Sequence, residues 1–254
     1  MSLSKRVFGT LETMTSKILF FDTETTGNTA DDVICQLAYK NGEEIFCELY
    51  KPAIKIPAEA SAVHHITNKM IADKLSFKES ASYKMLKDLF ESQETLSVAH
   101  NAKFDLGMLA KEEIIPSQSI CTLRMARYLD KENKLPRYNL QFLRYHLDME
   151  IDAQAHDARG DVLVLEQLFL RLVEAMKKEL DTENLDEVYV KMIDISSKPS
   201  LMHAFNFGKH IGKKVSEVAQ IDSGYLDWML KQKLQNEVED EDWIYTLKHY
   251  LGKP

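Results

Sequence analysis

The segment ILFFDTETTG, residues 18–27, runs four large apolar residues directly into two acids one residue apart. An apolar run of that length, closed by a Thr and Gly cluster, reads as a strand buried on both faces of a sheet. Side chains alternate along a strand, so Asp22 and Glu24 point to one side while Thr23 points to the other. Two carboxylates crowded at the edge of a core cost roughly 3 kcal/mol or more unless something offsets their repulsion and desolvation. A divalent cation offsets both.

The next segments, DVICQLAYK (32–40) and EEIFCELYK (43–51), are strand-like and separated by Asn41-Gly42, a strong hairpin signal. Three antiparallel strands therefore open the fold. FKESASYKMLKDLFES (77–92) carries Met85, Leu86, Leu89 and Phe90 at helical spacing and leads into TLSVAH, a fourth short strand. From NAKFDLGMLAKEE onward most of the chain reads as helix, including the long DVLVLEQLFLRLVEAMKKEL. The class is α/β.

Two further acids sit on apolar stripes. Asp105 shares a helix face with Met108 and Leu109, and Asp161 heads a face continued by Leu165, Leu168 and Leu172. Each acid alone has a bland reading as a turn former or helix cap. Together they place carboxylates from separate segments at the boundary of buried faces, and one metal site accounts for all of them. Two divalent cations roughly 3.5–4 Å apart can activate a water and stabilise the leaving oxygen of a phosphodiester. Hard oxygen ligands suit Mg²⁺ or Mn²⁺. His156, just upstream of Asp161, is the candidate proton acceptor for the attacking water, since an unperturbed imidazole titrates near ~6.5.

The net charge of −8 argues at first against a polyanionic partner. Four carboxylates neutralised by two cations remove that objection locally, and the remaining charge must be patchy. Cys35, Cys47 and Cys121 are odd in number and lack CxxC spacing, so neither a disulfide framework nor a zinc site is expected. No window approaches 18 uncharged apolar residues and the first residues lack signal-peptide character, which places the chain in the cytoplasm with no membrane contact. The expected organisation is an N-terminal tail (1–16), a catalytic domain (17–180), a polar linker (181–199) and a small C-terminal module (200–254). In that module the basic group Lys209, His210, Lys213 and Lys214 lies among aromatics and glycines.

These motifs resemble the DEDD exonucleases, specifically their DnaQ-like branch typified by the epsilon proofreading subunit of bacterial DNA polymerase III. FDTETTG is similar to the first motif of that branch, HNAKFDLGML to the second and HDARGDVLVL to the third, in the same order. VHHIT (63–67), CTLRMARYL and YNLQFLRYHLDM also look like family segments, so the likeness spans residues 17 to about 177.

The resemblance implies an RNase H-like fold, a mixed five-stranded sheet flanked by helices, and hydrolysis from the 3′ end that releases nucleoside 5′-monophosphates. It carries the metal-binding acids onto Asp22, Glu24, Asp105 and Asp161, and the base onto His156 of the histidine subclass. Position 157, where the tyrosine subclass has Tyr, is Asp here. By the same resemblance Thr25, His65, Ile66, Asn101 and Phe104 line the pocket for the terminal nucleotide. The family usually has Gly after the histidine of VHGIT, whereas this chain reads His64-His65-Ile66. Either His64 takes the family histidine's place or the turn differs.

Phe207, Gly208, Lys209, Gly212 and Lys213 resemble, with less specificity, the FGKxxGK module behind the catalytic domain of exonuclease X-type proteins. Lys209 and Lys213 there are candidate phosphate contacts. The other reading makes Phe205, Phe207, Tyr225 and Trp228 a miniature core with solvated lysines. DNA is the expected substrate. An RNA-trimming exonuclease and a polymerase-associated nucleic-acid-binding subunit are the alternatives.

Overall fold

The computed structural model describes residues 17–151, 158–235 and 240–253. Its framework is a five-stranded sheet in the order β3-β2-β1-β4-β5. The strands are β1 (Lys17–Thr25), β2 (Ile34–Asn41), β3 (Glu44–Leu49), β4 (Thr95–Ala99) and β5 (Ser119–Cys121). The β1–β2 and β2–β3 pairs are antiparallel, and β4 and β5 run parallel to β1. The β2–β3 hairpin closes through Gly42 at φ 57°, one residue later than the Asn-Gly signal suggests, because Asn41 stays in the ladder opposite Glu44. The mixed sheet is the one the family resemblance implies.

β1 is central and buried on both faces, and its alternation divides the molecule. Phe20 joins a core with helices α4 (Thr122–Leu129), α5 (Leu140–His146), α6 (Ala158–Leu180) and α7 (Leu185–Ser196), meeting Phe169 of α6 edge-on at 5.4 Å. Leu19 and Phe21 join a second core with α2 (Tyr83–Glu91) and α3 (Ala102–Lys111), Phe21 meeting Phe90 at 5.0 Å. α1 (Ala58–His64) lies beside the end of β1, with Ile56, Ile66 and Ile71 buried against Cys35.

Two sequence expectations need correction. The helix expected over 77–92 begins only at Tyr83, since Ser80 and Ser82 in the preceding turns bond to one another and to the Phe77 carbonyl instead of continuing a helix. Met85 of its expected apolar face is exposed, while Leu86 and Phe90 are fully buried. More consequentially, most of residues 181–199, expected as a polar linker, form the helix α7. Asn184 caps α7 by accepting the Asp186 N–H, and Val188 and Met192 are fully buried against α6. The C-terminal end of α7 is fixed to β5 and α4, where the Ser196 hydroxyl accepts the Cys121 N–H at 2.9 Å and its carbonyl accepts from Arg124 at 2.7 Å.

A separate small core follows. Phe205 packs with Val215 and Val218 of α8 (Val215–Ile221), Leu226 and Leu230 of α9 (Ser223–Lys233), and Trp243 of α10 (Glu241–Leu251). Phe205 stacks on Trp243 at 5.2 Å and is the miniature core's centre, whereas Phe207 and Trp228 are 37% and 56% exposed. No described helix is long and apolar enough to cross a membrane.

Truncating Met192 to Ala tests the role of α7. A core position predicts a loss of about 2–5 kcal/mol in the stability measured by urea denaturation, whereas a linker residue predicts almost none.

Candidate active site

The strand's alternation continues past its apolar part. Asp22 and Glu24 follow Phe20 toward α6, and Thr23 follows Leu19 and Phe21 toward α3. Asp161 stands in the first turn of α6, so ligand oxygens of Asp22, Glu24 and Asp161 all lie within 4.8 Å of one another. Position at a helix N-terminus helps Asp161 carry its charge while buried. Gln141 of α5 donates its side-chain amide to Asp161 Oδ1 and so fixes that carboxylate. Three hard oxygen donors in this space fit a divalent cation of the Mg²⁺ or Mn²⁺ type.

Asp105 approaches from the other side of β1. Its Oδ1 accepts the Thr23 backbone N–H at 3.1 Å and the Thr23 hydroxyl at 2.7 Å, and the side chain is 3% exposed. Burial raises the Asp105 carboxyl well above the ordinary range, although both Thr23 donors pull the other way. The three-carboxylate group does not include it, and a single residue, Thr23, separates the two arrangements along the strand. His156 lies outside the described residues.

The pocket beside these acids is lined by Glu24, Thr25, Thr26, Gly27, His64 and Phe104, among others. A β-bulge between Glu24 and Thr25 turns the strand end into this pocket. The loop after it is organised by Asp32, whose carboxylate accepts the Thr26 hydroxyl and the Thr29 N–H and hydroxyl, each at 2.7 Å. Those donors, led by the Thr26 hydroxyl, hold Asp32 below the usual carboxylate range. Gly27 is required by space: a Cβ there would stand 2.6 Å from Asp32 Oδ2.

Of the two histidines, His64 lines the pocket and His65 does not. The His64 Nε2–H donates to the Thr25 carbonyl at 3.2 Å, its Nδ1 accepts the Ile66 N–H at 3.0 Å, and burial lowers its pKa, so the ring is neutral. His65 is exposed and caps α1 in the left-handed conformation at φ 63°. A side chain thus occupies a cap conformation that ordinarily favours Gly. Ile66 is buried behind the pocket rather than in its lining.

Asn101 is also left-handed, at φ 60°, and precedes α3, while Phe104 reaches the pocket one turn later. The preceding His100 donates from Nε2 to the Tyr138 carbonyl at 2.7 Å and pairs with Thr122 through Nδ1. Burial pushes its pKa down to about 4. In the C-terminal unit, Lys209 pairs with Asp222 at 2.8 Å, and His210 shares the same carboxylate oxygen at 2.9 Å. Lys213 is exposed, with its backbone held to Phe205. Neither lysine lines the pocket at the acids.

Residues 19–169 match the family model described as exonuclease. The chain belongs to the exonuclease family. Within the exonucleases it is 32% identical over 235 residues to exodeoxyribonuclease 10 of Escherichia coli (strain K12), covering 91% of this chain and 96% of that protein. DNA polymerase III subunit epsilon of Treponema pallidum (strain Nichols) is 30% identical over 60% of this chain and 74% of its own length. Residues 205–233 match the model described as exodeoxyribonuclease X-like C-terminal. Among solved structures, exonuclease X in complex with 5′ overhanging duplex DNA aligns with a TM-score of 0.53 at 23% identity, over 70% of this chain and 99% of that one. An exonuclease I structure aligns with a TM-score of 0.54 at 20% identity, over 69% of this chain and 43% of its own. The fold is the RNase H-like fold of these exonucleases.

Sequence reasoning missed Gln141, Asp32 and the division of labour between His64 and His65. The Gly27 and Thr26 that frame Asp32 were in view, but their partner lies five and six residues on in a loop without periodicity. Replacing His65 by Gly should relieve its left-handed strain and stabilise the fold by about 1 kcal/mol, read as a higher urea midpoint with unchanged slope.

Proposed function

We propose that this protein is a 3′-to-5′ exonuclease that depends on two divalent cations, Mg²⁺ or Mn²⁺, and hydrolyses DNA to nucleoside 5′-monophosphates in repair or proofreading. The observation that carries this reading is the convergence of Asp22, Glu24 and Asp161 within 4.8 Å, with Glu24 also lining the pocket, in a chain of the exonuclease family. When bound, the cations would supply charge neutralisation of the scissile phosphate and a water nucleophilic enough to attack it.

The chain's own residues do the rest. Asp22, Glu24 and Asp161 would hold the cations and so set where the phosphate sits, with Asp105 of α3 joining them from the other side of β1. Gln141 keeps the Asp161 carboxylate oriented. The Thr25–Gly27 strand end, His64 and Phe104 receive the terminal nucleotide, and neutral His64 holds the Thr25 carbonyl in place. His156 takes the proton of the attacking water, for which its ring must be neutral. The near-complete coverage of exodeoxyribonuclease 10, including the matching C-terminal segment, supports a free-standing repair-type enzyme over a polymerase subunit, and supports DNA over RNA.

Incubating the full chain with 5′-labelled single-stranded DNA should give Mg²⁺-dependent, EDTA-sensitive shortening from the 3′ end. Loss of label as a free mononucleotide at the outset would instead mean attack from the 5′ end. Asp22→Ala should lower kcat by about 10³-fold with the fold intact. Gln141→Ala should weaken Mg²⁺ activation by about 10- to 100-fold while leaving saturating activity less affected. The pH profile of kcat/KM should fall as pH drops through about 6.5, when the base becomes protonated, and His156→Ala should remove that limb.

A further inference from the structure

A cleft of about 850 Å³ lies away from the acids, between the catalytic core and the C-terminal unit. One wall is the 133–139 loop with Asn101 and Arg127, and the other is the 202–212 segment, with Ala204, Asn206 and Ile211. In a chain of net charge −8, no acidic residue lines this cleft among the described residues, whereas Arg127, Lys134 and Arg137 do. Arg137 is exposed and makes no ion pair or hydrogen bond among the described residues, so its charge is available.

The cleft is also continuous with the active-site pocket. Phe104, Asn28 and Thr29 line both that pocket and an adjoining groove, and the groove shares Asn101, Leu123 and Arg127 with the cleft. The intermediate groove is basic, with Lys103, Lys111 and Arg124. Its two acids, Glu241 and Asp242 of α10, are spent on Lys103, Arg124 and Arg127.

Both walls are built. The Asp130 carboxylate accepts the Lys134 and Leu135 N–H groups at 2.8 Å and the Tyr138 hydroxyl at 2.9 Å, and His100 ties the Tyr138 carbonyl to the segment that carries Asn101. Opposite, Gly212 N–H bonds the Phe205 carbonyl at 2.7 Å, and Phe205 N–H bonds the Lys213 carbonyl at 3.0 Å. Ile211, 65% exposed, projects from this turn beside Asn206.

We propose that this cleft is the track for the single strand behind the 3′ end, with the C-terminal unit as its second wall and Arg137 as a phosphate contact. The proposal rests on the exonuclease reading above and extends it from the terminal nucleotide to those upstream. Arg137 offers phosphate an unspent charge, since Arg127 is paired with Asp242 and Lys134 with Glu132, and apolar side chains interleaved with asparagine amides suit exposed base faces and edges. A duplex offers mainly phosphates outward, so the lining selects single-stranded DNA. The contact set also moves the C-terminal unit's role from Lys209, which Asp222 holds, to Asn206 and Ile211.

The test measures fluorescence anisotropy of labelled dT12 and dT2 with the full chain in EDTA, for the wild type, Arg137→Glu and Ile211→Glu. Binding to dT12 should exceed binding to dT2 in the wild type, and each variant, on opposite walls, should shrink that advantage at least tenfold. Arg137→Ala should lower the slope of log affinity against log salt by about 0.7. Both sites are exposed, and matching thermal unfolding of the variants checks that they fold. A wild-type advantage retained by either variant, no advantage in the wild type, or tighter binding of duplex than of dT12 overturns the proposal. A wild type that digests no DNA at all overturns the exonuclease reading instead, a separate result.

Discussion

The pleat of one strand organises this molecule. Because β1 is central and buried on both sides, each successive residue is committed to one of two cores, and the commitment persists when the residues become polar. Phe20, Asp22 and Glu24 belong to the α6 side, and Leu19, Phe21 and Thr23 to the α2–α3 side. A slip of one residue would exchange Thr23 for the two acids and empty the carboxylate group. Neighbours on both edges fix the register, and the bulge after Glu24 ends the strand where the pocket begins.

The same strand explains why the acids are unlike one another. Asp161 is buried yet sits at a helix start with an amide donor, conditions that favour the anion. Asp105 is buried more deeply, and desolvation outweighs the two Thr23 donors, so its carboxyl is raised. Thr23 therefore links the two sides physically: its side chain serves Asp105 while its flanking residues serve Asp161's group.

Much of this was legible in the sequence because it follows from period and patterning. The alternation around Asp22, the early hairpin and the long α6 all follow from apolar spacing that tertiary structure obeys. α7 was legible too, since Leu185, Val188, Met192 and Ile195 recur at helical spacing behind an Asn184 cap, but its many acids disguised it as a linker. The contacts that join distant loops were not legible. Gln141 finds Asp161, and His100 finds Tyr138, only after α5 and the 130–139 loop have folded back onto the sheet. The choice between His64 and His65 depended on which of them takes the left-handed cap, a backbone fact that residue type does not decide when both are histidine.

The way α7 ends has a consequence for the unit that follows it. The chain is pinned at Ser196, again at Ser200 through Asp242, and at Met202 through Thr246, so there is almost no slack between the last helix of one core and the first residue of the next. A polar interface of ion pairs would be a weak clasp between free partners. On so short a leash the local concentration of one face at the other is high, and modest contacts suffice to keep the two bodies joined.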